Sequence, residues 1–154
     1  MTRGFTLIAV LIALTASGCG SSEKDKLIAK ADPICQQVNA RVAAANAGLQ
    51  GASNLSDPQI VQKVAQTGLS LAGEEHKAVA KLTALKAPSS LSRDWKVILL
   101  GLQTLANNTA QLAIEAKAKN VQLGEETIRR NREIQKLLIR IAQHDGFKHC
   151  GRLN

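Results

Sequence analysis

The sequence predicts an all-α protein, an up-down-up-down four-helix bundle that follows a cleaved signal peptide. Apolar residues recur at spacings of three and four through four segments, and polar or proline-bearing links separate those segments. No stretch alternates apolar and polar residues as a half-buried strand does. The 154 residues carry a formal net charge of +8 and three cysteines, Cys19, Cys35 and Cys150.

The first segment is read as lost from the mature chain. Arg3 is the only charge before Glu23, and an apolar run from Phe5 to Ala16 follows it. That is the pattern of a secretory signal, and the run is too short for a bilayer span, which needs about 20 apolar residues. Ala16, Ser17 and Gly18, directly before Cys19, resemble a bacterial lipobox, in which the cysteine sulfur is lipidated and the chain is cut before it. One position departs from that pattern, because Ala16 stands where Leu is usual and Leu14 lies two residues earlier. The alternative is ordinary signal cleavage near these small residues, leaving a free secreted protein. The expected organisation is a lipoprotein signal peptide over 1–18, a flexible tether over 19–25 opening on Gly20-Ser21-Ser22, and a helical domain over 26–154.

The first helix is expected from about Asp25 to Gln50, with Ala31, Cys35, Val38, Val42, Ala45 and Leu49 on one stripe and Gly51 ending it. Pro33 either kinks this helix or, with Asp32 as N-cap, begins its main part. Asp57-Pro58 starts the second helix, an N-cap acceptor followed by proline at the first helical position. Its stripe is Ile60, Val64, Gly68, Leu71, Ala78, Leu82 and Leu85, interrupted by Glu75, and Ala87-Pro88 stops it. Ser89 or Ser90 caps the third helix. Leu91, Trp95, Ile98, Leu102, Leu105, Thr109, Leu112 and Ala116 then advance by four and three, the seam of antiparallel bundle packing. A turn falls between Ala118 and Gly124. The fourth helix carries Ile128, Ile134, Leu138 and Ile141, with Leu137 widening the stripe, and Asp145-Gly146 ends it.

The cysteines divide as one plus two. With Cys19 taken for lipidation, Cys35 and Cys150 form an even pair in an oxidising compartment and are read as a disulfide. The topology agrees, since an up-down-up-down chain brings the end of its fourth helix back to the start of its first. Free thiols or a metal pair are the alternatives; two cysteines with no CxxC and no histidine at ligand spacing make a poor zinc site.

Lys30-Ala31-Asp32-Pro33-Ile34-Cys35 with Asn39, together with the closing Gly146-Phe147-Lys148-His149-Cys150, resemble a family of small actinobacterial extracytoplasmic lipoproteins. Members of that family read Ala-Asp-x-Ile-Cys-x-x-x-Asn after a lipobox and end in a Gly-x-x-x-Cys-like tail. The resemblance covers both ends of the mature domain and little of its centre, implies the same placement outside the membrane, and implies no chemistry. Pro33 is its visible departure.

Enzymatic constellations are missing. His144, Asp145 and His149 straddle Gly146 with the imidazoles five residues apart, and Glu74-Glu75-His76 lacks the Glu-x-x-His of bundle metal sites, so that segment is expected on a solvated face. There is no Cys-x-x-Cys-His for haem and no Gly-x-Ser-x-Gly nucleophile elbow. The sequence therefore predicts no enzyme, no cofactor and no metal. Arg129, Arg132, Lys136 and Arg140 fall on one face of the fourth helix, a candidate basic contact face for anionic lipid or phosphate-rich wall polymer. Nucleic acid is not expected, because Trp95 and Phe147 are the only aromatics left after the signal. Two functions survive on the extracytoplasmic face of the cell membrane. One is a tethered structural or interaction protein of the envelope, using a helix face or the distal loops Gly51–Asp57 and Ala118–Gly124. The other is a small-ligand binding or sensor module with its site between helices, near Gly68, Gly73 and Gly101. A dry, filled core would favour the first, and an apolar cavity of about 300 Å³ or more lined by polar groups the second.

Overall fold

The computed structural model describes residues 22–50 and 57–151; the signal segment, Cys19 and the link at 51–56 lie outside the described residues. Four helices form: α1 (Glu23–Gly48), α2 (Pro58–Thr83), α3 (Ser92–Lys117) and α4 (Val121–His144). No strand occurs among the described residues. The chain is an all-α four-helix bundle. α1 packs on α2, α2 on α3 and α3 on α4, whereas α1 and α4 make no comparable contact.

Local chemistry sets each boundary. Ser22 caps α1 in a reciprocal box, its hydroxyl accepting from the Asp25 N–H and its own N–H donating to the Asp25 carboxylate, both at 3.1 Å. The helix thus begins inside the segment expected to be tether, because the box recruits Asp25. Asp57 caps α2 by accepting from Gln59 N–H at 2.8 Å, with Pro58 in the first turn. Ser89 and Ser90 give no side-chain cap; they form a short 3₁₀ turn, Ser89–Leu91, that leads into α3.

Both ends of the α3–α4 hairpin close by the same device. After α3, Lys119 N–H donates to Ala116 and Asn120 N–H to Glu115; after α4, Gly146 N–H donates to Gln143 and Phe147 N–H to Ala142. These are Schellman motifs, each with one residue in the left-handed region, Lys119 at φ 55° and Gly146 at φ 85°. The second drops the Phe147 ring onto Trp95, with centroids 5.5 Å apart.

Pro33 lies inside a continuous α1, so it neither starts the helix nor makes Asp32 an N-cap. Asp32 serves a distant partner. Its buried carboxylate accepts from the backbone N–H groups of Lys148 (2.9 Å), His149 (3.0 Å) and Cys150 (3.4 Å). Asn39 Nδ2 donates to the His149 carbonyl at 3.0 Å, and the Cys35–Cys150 disulfide closes the same junction. At this end the C-terminal tail bridges α1 and α4. The core, Leu27, Ala31, Leu82, Trp95, Ile98, Leu105 and Leu138 among others, gathers around it.

Candidate ligand-binding cleft

Among the described residues α1 and α4 make few contacts away from the tail. The last buried residue of α1 is Val38; Val42, Ala45 and Leu49, expected in the core, are only half-buried. Val64 and Leu71 of α2 and Leu112 of α3 are likewise half-buried, and Ile128 and Leu137 of α4 are exposed. Most of these stripe residues are the walls of one cleft. Val42, Asn46 and Leu49 line it from α1, Val64, Gly68, Leu71 and Glu75 from α2, Leu105, Thr109 and Leu112 from α3, and Ile128, Asn131, Arg132 and Gln135 from α4. Its volume is about 410 Å³, within the usual range for small-molecule sites. The core here lies beside the expected stripes, since Val61, Ala65 and Ala72 of α2, Ala106 and Ala113 of α3 and Thr127 of α4 are buried, and the stripe residues instead line a cleft that opens between α1 and α4.

Glu75 is the chemical centre of this region. It is 5 % exposed, its Oε2 has no hydrogen-bond partner, and it also lines a smaller cavity toward the tail with Asn39, Leu102 and His149. That cavity, about 20 Å³, is room for one water molecule, and Asn39 Oδ1 is a second unpartnered acceptor on its wall. Burial pushes the Glu75 carboxyl up to about 7, against a smaller opposing pull from the Thr109 hydroxyl. The expectation of a solvated face for Glu74-Glu75-His76 is therefore wrong at Glu75. Its neighbours are partly exposed: Glu74 pairs with Lys77 at 3.0 Å, and Gln103 donates to His76 Nδ1 at 3.0 Å. The sequence signal was the interruption of the α2 stripe by this one charge.

Gly68 and Gly101 are close-approach positions. A Cβ at Gly68 would meet the Ala113 Cβ at 2.9 Å, and one at Gly101 would meet Leu138 Cδ2 at 2.6 Å; nothing lies within 4 Å at Gly73. Only Gly68 also lines the cleft. Comparison with family models, curated proteins and solved structures gives no match. The site is therefore read from its own geometry.

The other predicted groups are placed as follows. Cys35 and Cys150 are bonded, with Cα atoms 5.0 Å apart. Arg129, Arg132, Lys136 and Arg140 are all exposed, Lys136 pairs with Glu133 at 2.8 Å, and Arg132 stands on the cleft rim. His144 and Asp145 are joined at 3.0 Å, and the third group close to them is Asp94, not His149, with candidate ligand atoms within 4.8 Å of one another. Sequence reasoning could not reach Asp94, which arrives from the first turn of α3. Around the α3–α4 turn Ile114, Val121 and Leu123 are exposed, Val121 at 59 %.

Proposed function

We propose that this chain is a lipoprotein anchored through Cys19 on the extracytoplasmic face of the membrane, and that its bundle binds a small, largely apolar ligand in the cleft between α1 and α4. The cleft supports this reading: at about 410 Å³ it is large enough for a small molecule, its walls are mostly apolar, and the buried Glu75 stands among them. Val42 lies nineteen residues beyond Glu23, so at 1.5 Å per residue the cleft stands about 28 Å along α1 from the tether end. A ligand there is held clear of the anchoring bilayer.

Ligand-observed NMR with a set of apolar fragments tests the reading against an Asn46→Trp variant, in which an exposed α1 position is filled with a bulky ring. Fragments should show saturation transfer from the native protein and not from the variant. Equal signals from both would sink the proposal. Intact mass of the membrane-extracted protein tests the anchor, which requires a diacylglycerol on Cys19.

A second reading, an envelope interaction protein, is favoured by Ile114, Val121 and Leu123 at the end far from the tether. Replacing Val121 and Leu123 with Ser should then remove a partner captured by crosslinking in intact cells. The basic face of α4 is a separate candidate contact. Changing Arg129, Arg132, Lys136 and Arg140 to Gln should abolish adsorption to anionic vesicles if that face meets lipid, whereas unchanged adsorption would exclude it.

A further inference from the structure

We propose that the cleft selects cationic amphiphiles, a protonated amine on an apolar body, with the ammonium group paired to the Glu75 carboxylate at the inner end of the cleft. This rests on the cleft being a ligand site and adds the class of ligand.

Glu75 Oε2 has no protein donor. The cavity beside it has room for one water at most, and a buried carboxylate with no charged partner is costly. No charged side chain contributes to the titration of Glu75, which responds to burial and to Thr109 alone. The groups that share its two cavities leave the position open to a cation. From α1 come Asn39 at the small cavity and Val42 and Asn46 in the cleft, from α3 Leu102, Leu105 and Thr109, all uncharged. α4 contributes one charge, Arg132, exposed at the rim, and the tail contributes His149 beside the small cavity. On its own helix, Glu74 is committed to Lys77.

An apolar ligand with no donor would cover Glu75 and leave it unpaired. A carboxylate ligand would set a second negative charge against it or force both to share a proton. An ammonium group supplies both the donor and the charge, while Val42, Val64, Leu105 and Ile128 receive the apolar body. The net charge of +8 argues against loose cation adsorption elsewhere, so cation binding would have to be local.

The test titrates octylamine, octanol and octanoate, which share one tail length, into the full-length protein in nanodiscs by calorimetry. The Asn46→Trp protein in nanodiscs supplies the blank for partitioning. Octylamine should bind at least about tenfold more tightly than octanol at pH 8, and octanoate most weakly. Because the ammonium stays protonated throughout, its affinity should rise by up to about tenfold per pH unit from pH 5 toward 7 and level off above, as Glu75 ionises. Glu75→Gln, checked for its helical circular dichroism, should bring octylamine down to the octanol level and abolish the pH dependence. Equal binding of amine and alcohol, preference for octanoate, or an octylamine affinity indifferent to pH would overturn the ligand class while leaving the cleft a site. Should the Gln variant not fold, the wild-type pH profile and the three-probe ranking decide alone. If none of the three binds beyond the Asn46→Trp blank, the cleft reading fails with it.

Discussion

Glu75 illustrates how a single side chain links stability to function. Its carboxyl ionises near 4.5 in an unfolded chain and at about 7 in the bundle, so between those values the folded state holds the extra proton. Stability is therefore greatest below about 4.5 and falls as pH rises toward 7, by about 3 kcal/mol for the shift. Urea unfolding at pH 5 and pH 8 should reveal this loss, and Glu75→Gln should remove most of it, being more stable than the native protein at pH 8. Asp32, by contrast, has partners for its buried carboxylate. Its three accepted backbone N–H groups lie 116 to 118 residues away. Asp32→Ala should cost about 2–3 kcal/mol, because it leaves those donors without their charged acceptor, and should speed hydrogen exchange at 148–150. Neither role could be read from the chain. Asp32 beside Pro33 looked like a local N-cap, and only the returning tail shows what its carboxylate holds.

The helices themselves were largely legible, since each carries its own boundary chemistry. Asp57-Pro58 and Asp145-Gly146 lie where caps and a left-handed residue are required, and both ends are observed there. The α3–α4 turn was harder to place because its left-handed residue is Lys119, without the glycine that usually marks such a position. Close approach between helices gives a further contrast. A methyl added at Gly68 would strike the Cβ of Ala113, held rigidly to its helix, whereas one added at Gly101 would strike the flexible end of Leu138. Gly68→Ala should therefore lower stability by about 1–3 kcal/mol, while Gly101→Ala, with a rotamer change available to Leu138, should cost less; thermal melts of the two variants compare them.

At the scale of the whole bundle, the described residues are closed by the tail at one end and leave a cleft between α1 and α4 toward the other. The disulfide spans 115 residues of sequence, so in the chain-entropy model it contributes about 5 kcal/mol, a large share of a typical total of about 5–15 kcal/mol. Reduction should lower the urea midpoint accordingly. Cys35 and Cys150 should alkylate only after reduction, since both are buried and bonded. Because the tail's bonds to α1 all fall between Asp32 and Asn39, reduction should loosen that end first, with faster exchange there than in α2 and α3.

Four amphipathic helices and their order were legible in the sequence, because periodicity and caps are local properties, and Cys35 with Cys150 was the expected pair once Cys19 was set aside for lipid. The tertiary structure decided which apolar stripes became core and which became cleft wall. Periodicity shows that a face seeks a partner, but it does not say whether two outer helices come close enough to provide one. It also decided the state of Glu75, since a charge on an apolar stripe acquires its meaning only from what surrounds it.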